Sequence, residues 1–139
     1  MCGIVGAFQP SARDLTSDAD LARMRDTMVH RGPNGAGLWR SPREDCVLGH
    51  RRLSIIDLST SADQPMLSPD GRVALVFNGE IYNHAELRKE LIATGRYQFR
   101  TDHSDTEVLL YAFMEWGLDC VHRFYGISLS ASDPSEALL

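Results

Sequence analysis

The sequence contains no apolar run long enough to cross a bilayer as a helix, so a membrane-spanning protein is not expected. It has no basic stretch before its short N-terminal apolar run, so no secretory signal is expected either. Positive charge is not in excess: 14 Lys and Arg stand against 19 Asp and Glu, for a net charge of −5. Neither nucleic acid nor an acidic membrane surface is an expected partner. Cysteine is scarce and odd in number, with Cys2, Cys46 and Cys120 far apart, which argues against a disulfide framework or a zinc ribbon. Free thiols fit a cytoplasmic location. Cys46 and Cys120 are read as small buried hydrophobes.

Internal repeats, low-complexity tracts and linkers are also absent. The 139 residues suit one compact domain, and 43% hydrophobic content is too high for a disordered tail. The five histidines, His30, His50, His84, His103 and His122, lack the compact spacing of a metal site, so no metal is expected and all five are read as structural or exposed. The glycine-rich stretch at 32–37 lacks the Gly-Lys-Ser/Thr ending of a phosphate loop.

Periodicity and turn chemistry divide the chain. Residues 3–8 read as a short buried strand. A helix is expected over 17–29, capped by Ser17, with Leu21, Met24 and Met28 as its core stripe. Residues 30–37, with three glycines and a proline, read as a loop. Strands are expected at 46–49 and 53–57, with a polar loop over 59–71. Residues 73–77 read as a buried strand entering a tight turn at Asn78-Gly79. Two capping boxes, Asn83 with Glu86 and Ser104 with Glu107, start helices that Gly95 and Gly117 end. Strands and helices mix without regular βαβ alternation, which predicts an α+β fold.

Cys2 is the one cysteine whose position suggests chemistry. Removal of Met1 leaves a thiol and a free α-amine on one residue. With an ordinary pKa of about 7.7–8.0, that amine can act as base for its own thiol. On position alone, a second-residue cysteine is more often without a role.

The rest of the chain changes that balance. The start MCGIVGAF is followed by His30-Arg31-Gly32-Pro33-Asn34-Gly35, Gly49-His50-Arg51-Arg52-Leu53-Ser54-Ile55-Ile56-Asp57, Gln64-Pro65, Phe77-Asn78-Gly79-Glu80-Ile81-Tyr82-Asn83 and Ser104-Asp105-Thr106-Glu107. In order and spacing these blocks resemble the glutaminase domains of asparagine synthetases, within the class II glutamine amidotransferases and the N-terminal-nucleophile hydrolases. The resemblance covers residues 1 to about 126. It implies an α/β/β/α sandwich that hydrolyses L-glutamine to glutamate and ammonia through a Cys2 thioester.

By the same resemblance, Arg52 takes the α-carboxylate, which suits a guanidinium fork. Asp105 takes the α-ammonium, although an aspartate in a first helical turn is also explained by capping. Glu80 is the second polar contact to the amine, and the backbone of Leu53, Ser54, Ile55 and Ile56 lines the glutamine pocket. Asn78 and Gly79 supply the side-chain and backbone donors of an oxyanion hole, where the bland alternative is a hairpin turn. Arg31 helps shape the pocket, Arg51 stays on the surface, and Asn34 replaces the usual aspartate.

From Gly126 the resemblance fails. Residues 127–139 read as a divergent tail, which predicts an incomplete sandwich with an unpaired sheet edge and self-association. No Ser-Gly-Gly-x-Asp-Ser loop occurs, so the synthetase domain, with its ATP and Mg, is expected to be absent. The domain itself needs no cofactor. The expected function is the glutaminase half of asparagine synthesis, acting with a separate synthetase domain or subunit. The alternative is a non-catalytic remnant, or a binding module that needs a partner to fold.

Overall fold

A computed structural model of the chain describes residues 2–9, 16–54 and 60–132. Two antiparallel sheets face each other, each covered on its outer side by helix. The first sheet joins β1 (Gly3–Phe8), β2 (Gly35–Arg40) and β3 (Cys46–Arg52) in the order β1-β3-β2. Helix α1 (Asp18–Asp26) packs on its outer face. The second sheet joins β4 (Met66–Leu67), β5 (Ala74–Ile81) and β6 (Gly126–Ser132) in the order β4-β5-β6. Helices α2 (His84–Ala93) and α3 (Asp105–Trp116) cover its far side, and a 3-10 segment, Gly117–Arg123, leads into β6. The result is the α/β/β/α layering expected from the sequence.

Alternation along the two central strands creates the layers. In β5, Leu75, Phe77 and Ile81 point outward into a cluster with Leu87, Leu91, Val108, Leu110 and Tyr111. Ala74 and Val76 point inward and meet Cys46 and Leu48 of β3, with Ile4 and Trp39 packed alongside. The inward face of β3 therefore carries Cys46, Leu48, His50 and Arg52 in turn, all buried. Cys46 and Cys120 are buried, as read from the sequence.

Several local expectations are corrected. The run from 73 does not turn at Asn78-Gly79: β5 continues to Ile81 because β6 pairs along it, with Asn78 opposite Leu129 and Gly79 opposite Ser128. Residues 127–132, read as the start of a divergent tail, thus belong to β6 of the second sheet. The tail beyond them lies outside the described residues. The glycine loop ends early, because residues 35–37 open β2. A Cβ on Gly37 would lie 1.9 Å from the Gln64 carbonyl oxygen, so glycine is required there by close approach and not by a turn. One strand, β3, replaces the expected pair at 46–49 and 53–57; Leu53 and Ser54 are not strand, and 55–57 lie outside the described residues.

Helix α1 is shorter than expected. Ser17 does cap it, accepting from the Asp20 N–H at 3.1 Å. Of the expected stripe only Leu21 is buried, while Met24 is 48% exposed. Asn83 makes no cap; its side chain instead donates to the Arg123 carbonyl at 2.8 Å and accepts from the Tyr125 N–H at 2.9 Å, tying α2 to the approach to β6. Ser104 does cap α3, accepting from the Glu107 N–H at 3.3 Å. Glu107 does not reciprocate: buried at 0% exposure, it accepts from the N–H groups of Arg100 and Thr101, both at 2.8 Å. No helix among the described residues is long and apolar enough to cross a membrane.

Candidate active site

Strand register brings Cys2 to Arg52. Gly3 pairs with Arg51 and Ile4 with His50, so Cys2, one residue outside β1, stands beside Arg52 at the end of β3. Ile4 packs between the sheets, and alternation puts Cys2 on that same face. The half-buried thiol is held by Leu53: the Leu53 N–H donates to Sγ at 3.4 Å, and Sγ lies 3.8 Å from the Leu53 carbonyl oxygen.

Polar braces fix this end of the sheet. Arg31 Nε donates to the Cys2 carbonyl at 3.1 Å. Arg51 is not a surface residue: Nε donates to the Gly32 carbonyl at 2.9 Å, and its guanidinium pairs with Asp26. Asn34 keeps the acceptor that an aspartate would offer, since its Oδ1 receives the Ser54 N–H at 3.1 Å, and its own N–H donates to the Arg52 carbonyl at 3.0 Å. The loop from Arg31 to Asn34 thereby holds Cys2 and the segment following Arg52 together.

Arg52 itself is buried on the inward face, and its Nη1 donates to Asp63 Oδ1 at 2.6 Å. His50, two residues earlier, is buried at 0% exposure with neither ring nitrogen in a hydrogen bond of normal geometry. Burial pushes its pKa down to about 4 and the Arg52 charge acts in the same direction; the Phe77 backbone and Asp63 oppose them. The ring is therefore neutral in the folded protein near pH 7.

The second group of residues sits on β5. The Tyr82 N–H donates to the Tyr125 carbonyl at 2.7 Å, which fixes the ladder's alternation. The N–H groups of residues 77, 79 and 81 then turn away from β6. Two of them find side chains: the Phe77 N–H donates to Gln64 Oε1 at 2.5 Å, and the Ile81 N–H to Asp105 Oδ2 at 3.1 Å. The Gly79 N–H lies between them on the same edge, and no acceptor meets it among the described residues. Asn78 is half-buried on the inward face of β5, and its amide makes no hydrogen bond among the described residues. Glu80 is exposed on the same face.

Asp105 is buried at the start of α3. Burial raises its carboxyl pKa, against the Ile81 and Thr106 N–H groups and His84. Gln64 links this group to the strand, with Nε2 3.3 Å from Thr106 Oγ1. The structure thus assembles Cys2, Arg52, Leu53 and Ser54 in one group and Asn78, Gly79, Glu80 and Asp105 in another, bridged by the segment at 63–64. Ile55 and Ile56 lie outside the described residues. Asp63 was not singled out in the sequence, because a lone aspartate in a polar loop carries no signal; His50 was read with the other histidines only as structural or exposed.

The chain resembles known proteins over most of its length. The profile of the glutamine amidotransferase domain matches residues 1–131. The chain is 41% identical over 129 residues to asparagine synthetase (glutamine-hydrolyzing) 1 of Bacillus subtilis, covering 91% of this chain and 20% of that protein. It is 38% identical over 127 residues to asparagine synthetase (glutamine-hydrolyzing) of Zea mays, covering 91% of this chain and 21% of the relative. The chain spans about a fifth of the length of these curated relatives. Among solved structures it superposes on glutamine phosphoribosylpyrophosphate amidotransferase from B. subtilis with a TM-score of 0.68 at 20% identity, covering 95% of this chain and 34% of that one. At that identity the likeness is one of fold alone. On the strength of the profile match, the chain belongs to the glutamine amidotransferase domain family.

Proposed function

We propose that the chain is a glutaminase unit that releases ammonia from L-glutamine, serving a synthetase part that converts aspartate to asparagine. The observation that carries this reading is the Cys2 thiol, held by the Leu53 N–H beside the buried fork of Arg52. The synthetase names of the relatives support the ammonia acceptor. ATP and Mg would act only in the synthetase part.

Arg52 takes the substrate α-carboxylate, the backbone of Leu53 and Ser54 flanks it, and Asp105 and Glu80 take the α-ammonium. With Met1 removed, the α-amine of Cys2 accepts the thiol proton as sulfur attacks the side-chain amide carbon. The resulting oxyanion is stabilised by the Asn78 amide and the Gly79 N–H, groups that have no competing partner in the described structure. The amine returns its proton to the departing nitrogen, ammonia leaves, and the C–S bond of the γ-glutamyl thioester remains. Water cleaves that bond, yielding glutamate and the free thiol. Three cysteines, odd in number and widely spaced, fit a cytoplasmic setting.

Cys2→Ala is expected to abolish glutamate release from glutamine while leaving the circular-dichroism melt unchanged. Glutaminase activity in that variant would overturn the reading.

A further inference from the structure

We propose that Asp63 is a positioning residue for the Arg52 guanidinium, and through it sets affinity for substrates that carry a free α-carboxylate. The inference rests on the glutamine-binding reading of Arg52. Arg52 ends the central strand of its sheet, with Cys2 on the β1 side and Gly35 on the β2 side. A Cβ on Gly35 would lie 3.7 Å from Asp63 Oδ1, and 3.4 and 3.8 Å from Cβ and Cδ of Arg52. Asp63 therefore reaches Arg52 over the bare backbone of Gly35, from the flank opposite Cys2. Its carboxylate steadies the guanidinium from that side without standing between guanidinium and thiol.

The mounting of Asp63 suits that task. Its neighbours Ala62 and Gln64 are both buried, and Gln64 is fixed by the Phe77 N–H and Thr106 Oγ1. The Asp63 side chain remains 55% exposed while that of Arg52 is 10% exposed. A carboxylate that keeps much of its hydration, carried on an anchored backbone, orients a long side chain at little desolvation cost. Ordering that side chain before the substrate arrives removes an entropic cost from binding.

The test is steady-state glutamine hydrolysis by the full chain carrying Asp63→Ala, Asp63→Asn, Arg52→Lys, and Arg52→Lys with Asp63→Ala. Asp63→Ala should raise KM by about two- to fivefold, what a partly exposed ion pair is worth, with kcat held within about twofold. Asp63→Asn keeps an acceptor oxygen and should recover part of that loss. In the Arg52→Lys background the second substitution should add nothing, because the fork it acts through is gone. An unchanged or lowered KM in Asp63→Ala, or full additivity in the double variant, would overturn the proposal. If Arg52→Lys itself leaves KM unchanged, the underlying assignment of Arg52 fails; if it raises KM while Asp63→Ala does not, only the role of Asp63 fails.

Discussion

The two sheets are held in different ways. The second rests on a deep apolar cluster in which Leu75, Phe77 and Ile81 pack on Leu87, Leu91, Val108, Leu110 and Tyr111. Among the described residues the first has no comparable cluster. Its inward face offers Cys46 and Leu48, with Ile4 and Trp39 at the margin, and α1 buries only Leu21. Its end that carries Cys2 and Arg52 is set by directed polar contacts: Arg31 on the Cys2 carbonyl, Arg51 on Gly32, Asn34 on the Ser54 N–H and Asp63 on Arg52. Apolar burial is strong but non-directional, so it fixes which layer an element joins. Holding one sulfur beside one guanidinium needs hydrogen bonds with defined angles.

The comparison can be broken most directly through the larger cluster. Leu110→Ala should destabilise the fold by about 2–5 kcal/mol, read as a lower denaturant midpoint at unchanged slope. A loss below about 0.5 kcal/mol would mean that this cluster does not carry the stability. Asn78→Ala should do the converse: kcat for glutamine falls by about 10²–10³ with little change in the melt, since the amide supports no other group among the described residues. A comparable loss confined to KM would argue against an oxyanion role.

His50 sharpens the contrast by acting on stability from within the polar half. The unfolded chain protonates this ring near its ordinary 6.5, whereas the folded chain does so only near 4. The folded pKa is depressed, so the full stability contribution is present above 6.5 and is lost as pH falls from 6.5 toward 4. The loss should be on the order of 3 kcal/mol, and His50→Leu should flatten the slope of stability across that window. An equal slope in the variant would assign the acid sensitivity to other groups. The smallest effect belongs to Met24→Ala, within about ±0.5 kcal/mol, because that side chain is half exposed on α1. A larger loss would show that the helix buries more of its face than Leu21.

Much of this architecture was legible in the sequence, and the failures share a cause. Ser17, Ser104, Gly95 and Gly117 act locally, and each marked a helix end correctly. Asn78-Gly79 reads as a turn by local chemistry, yet the pairing of β5 with β6, nearly fifty residues on, extends the strand through it. Gly37 reads as loop because its requirement comes from a neighbour remote in sequence, Gln64. The Met24 stripe failed because periodicity tells where a face is but not whether anything covers it. For the site, Cys2, Arg52 and Asn78 came from ordered motif blocks. Asp63 belongs to none, and its meaning appears only when the loop is folded over Gly35.

Strand β5 serves both halves at once, since Leu75, Phe77 and Ile81 enter the apolar cluster and Ala74, Val76, Asn78 and Glu80 lie on the other face. Deleting or inserting a single residue upstream of Asn78 would exchange the two sets. Phe77 or Gly79 would be presented where the amide should stand, and polar atoms would be driven among the helices. Length variation among natural homologues should accordingly be excluded from this strand and collect in surface turns such as that before Asp45, whatever drift in side-chain identity the strand accepts.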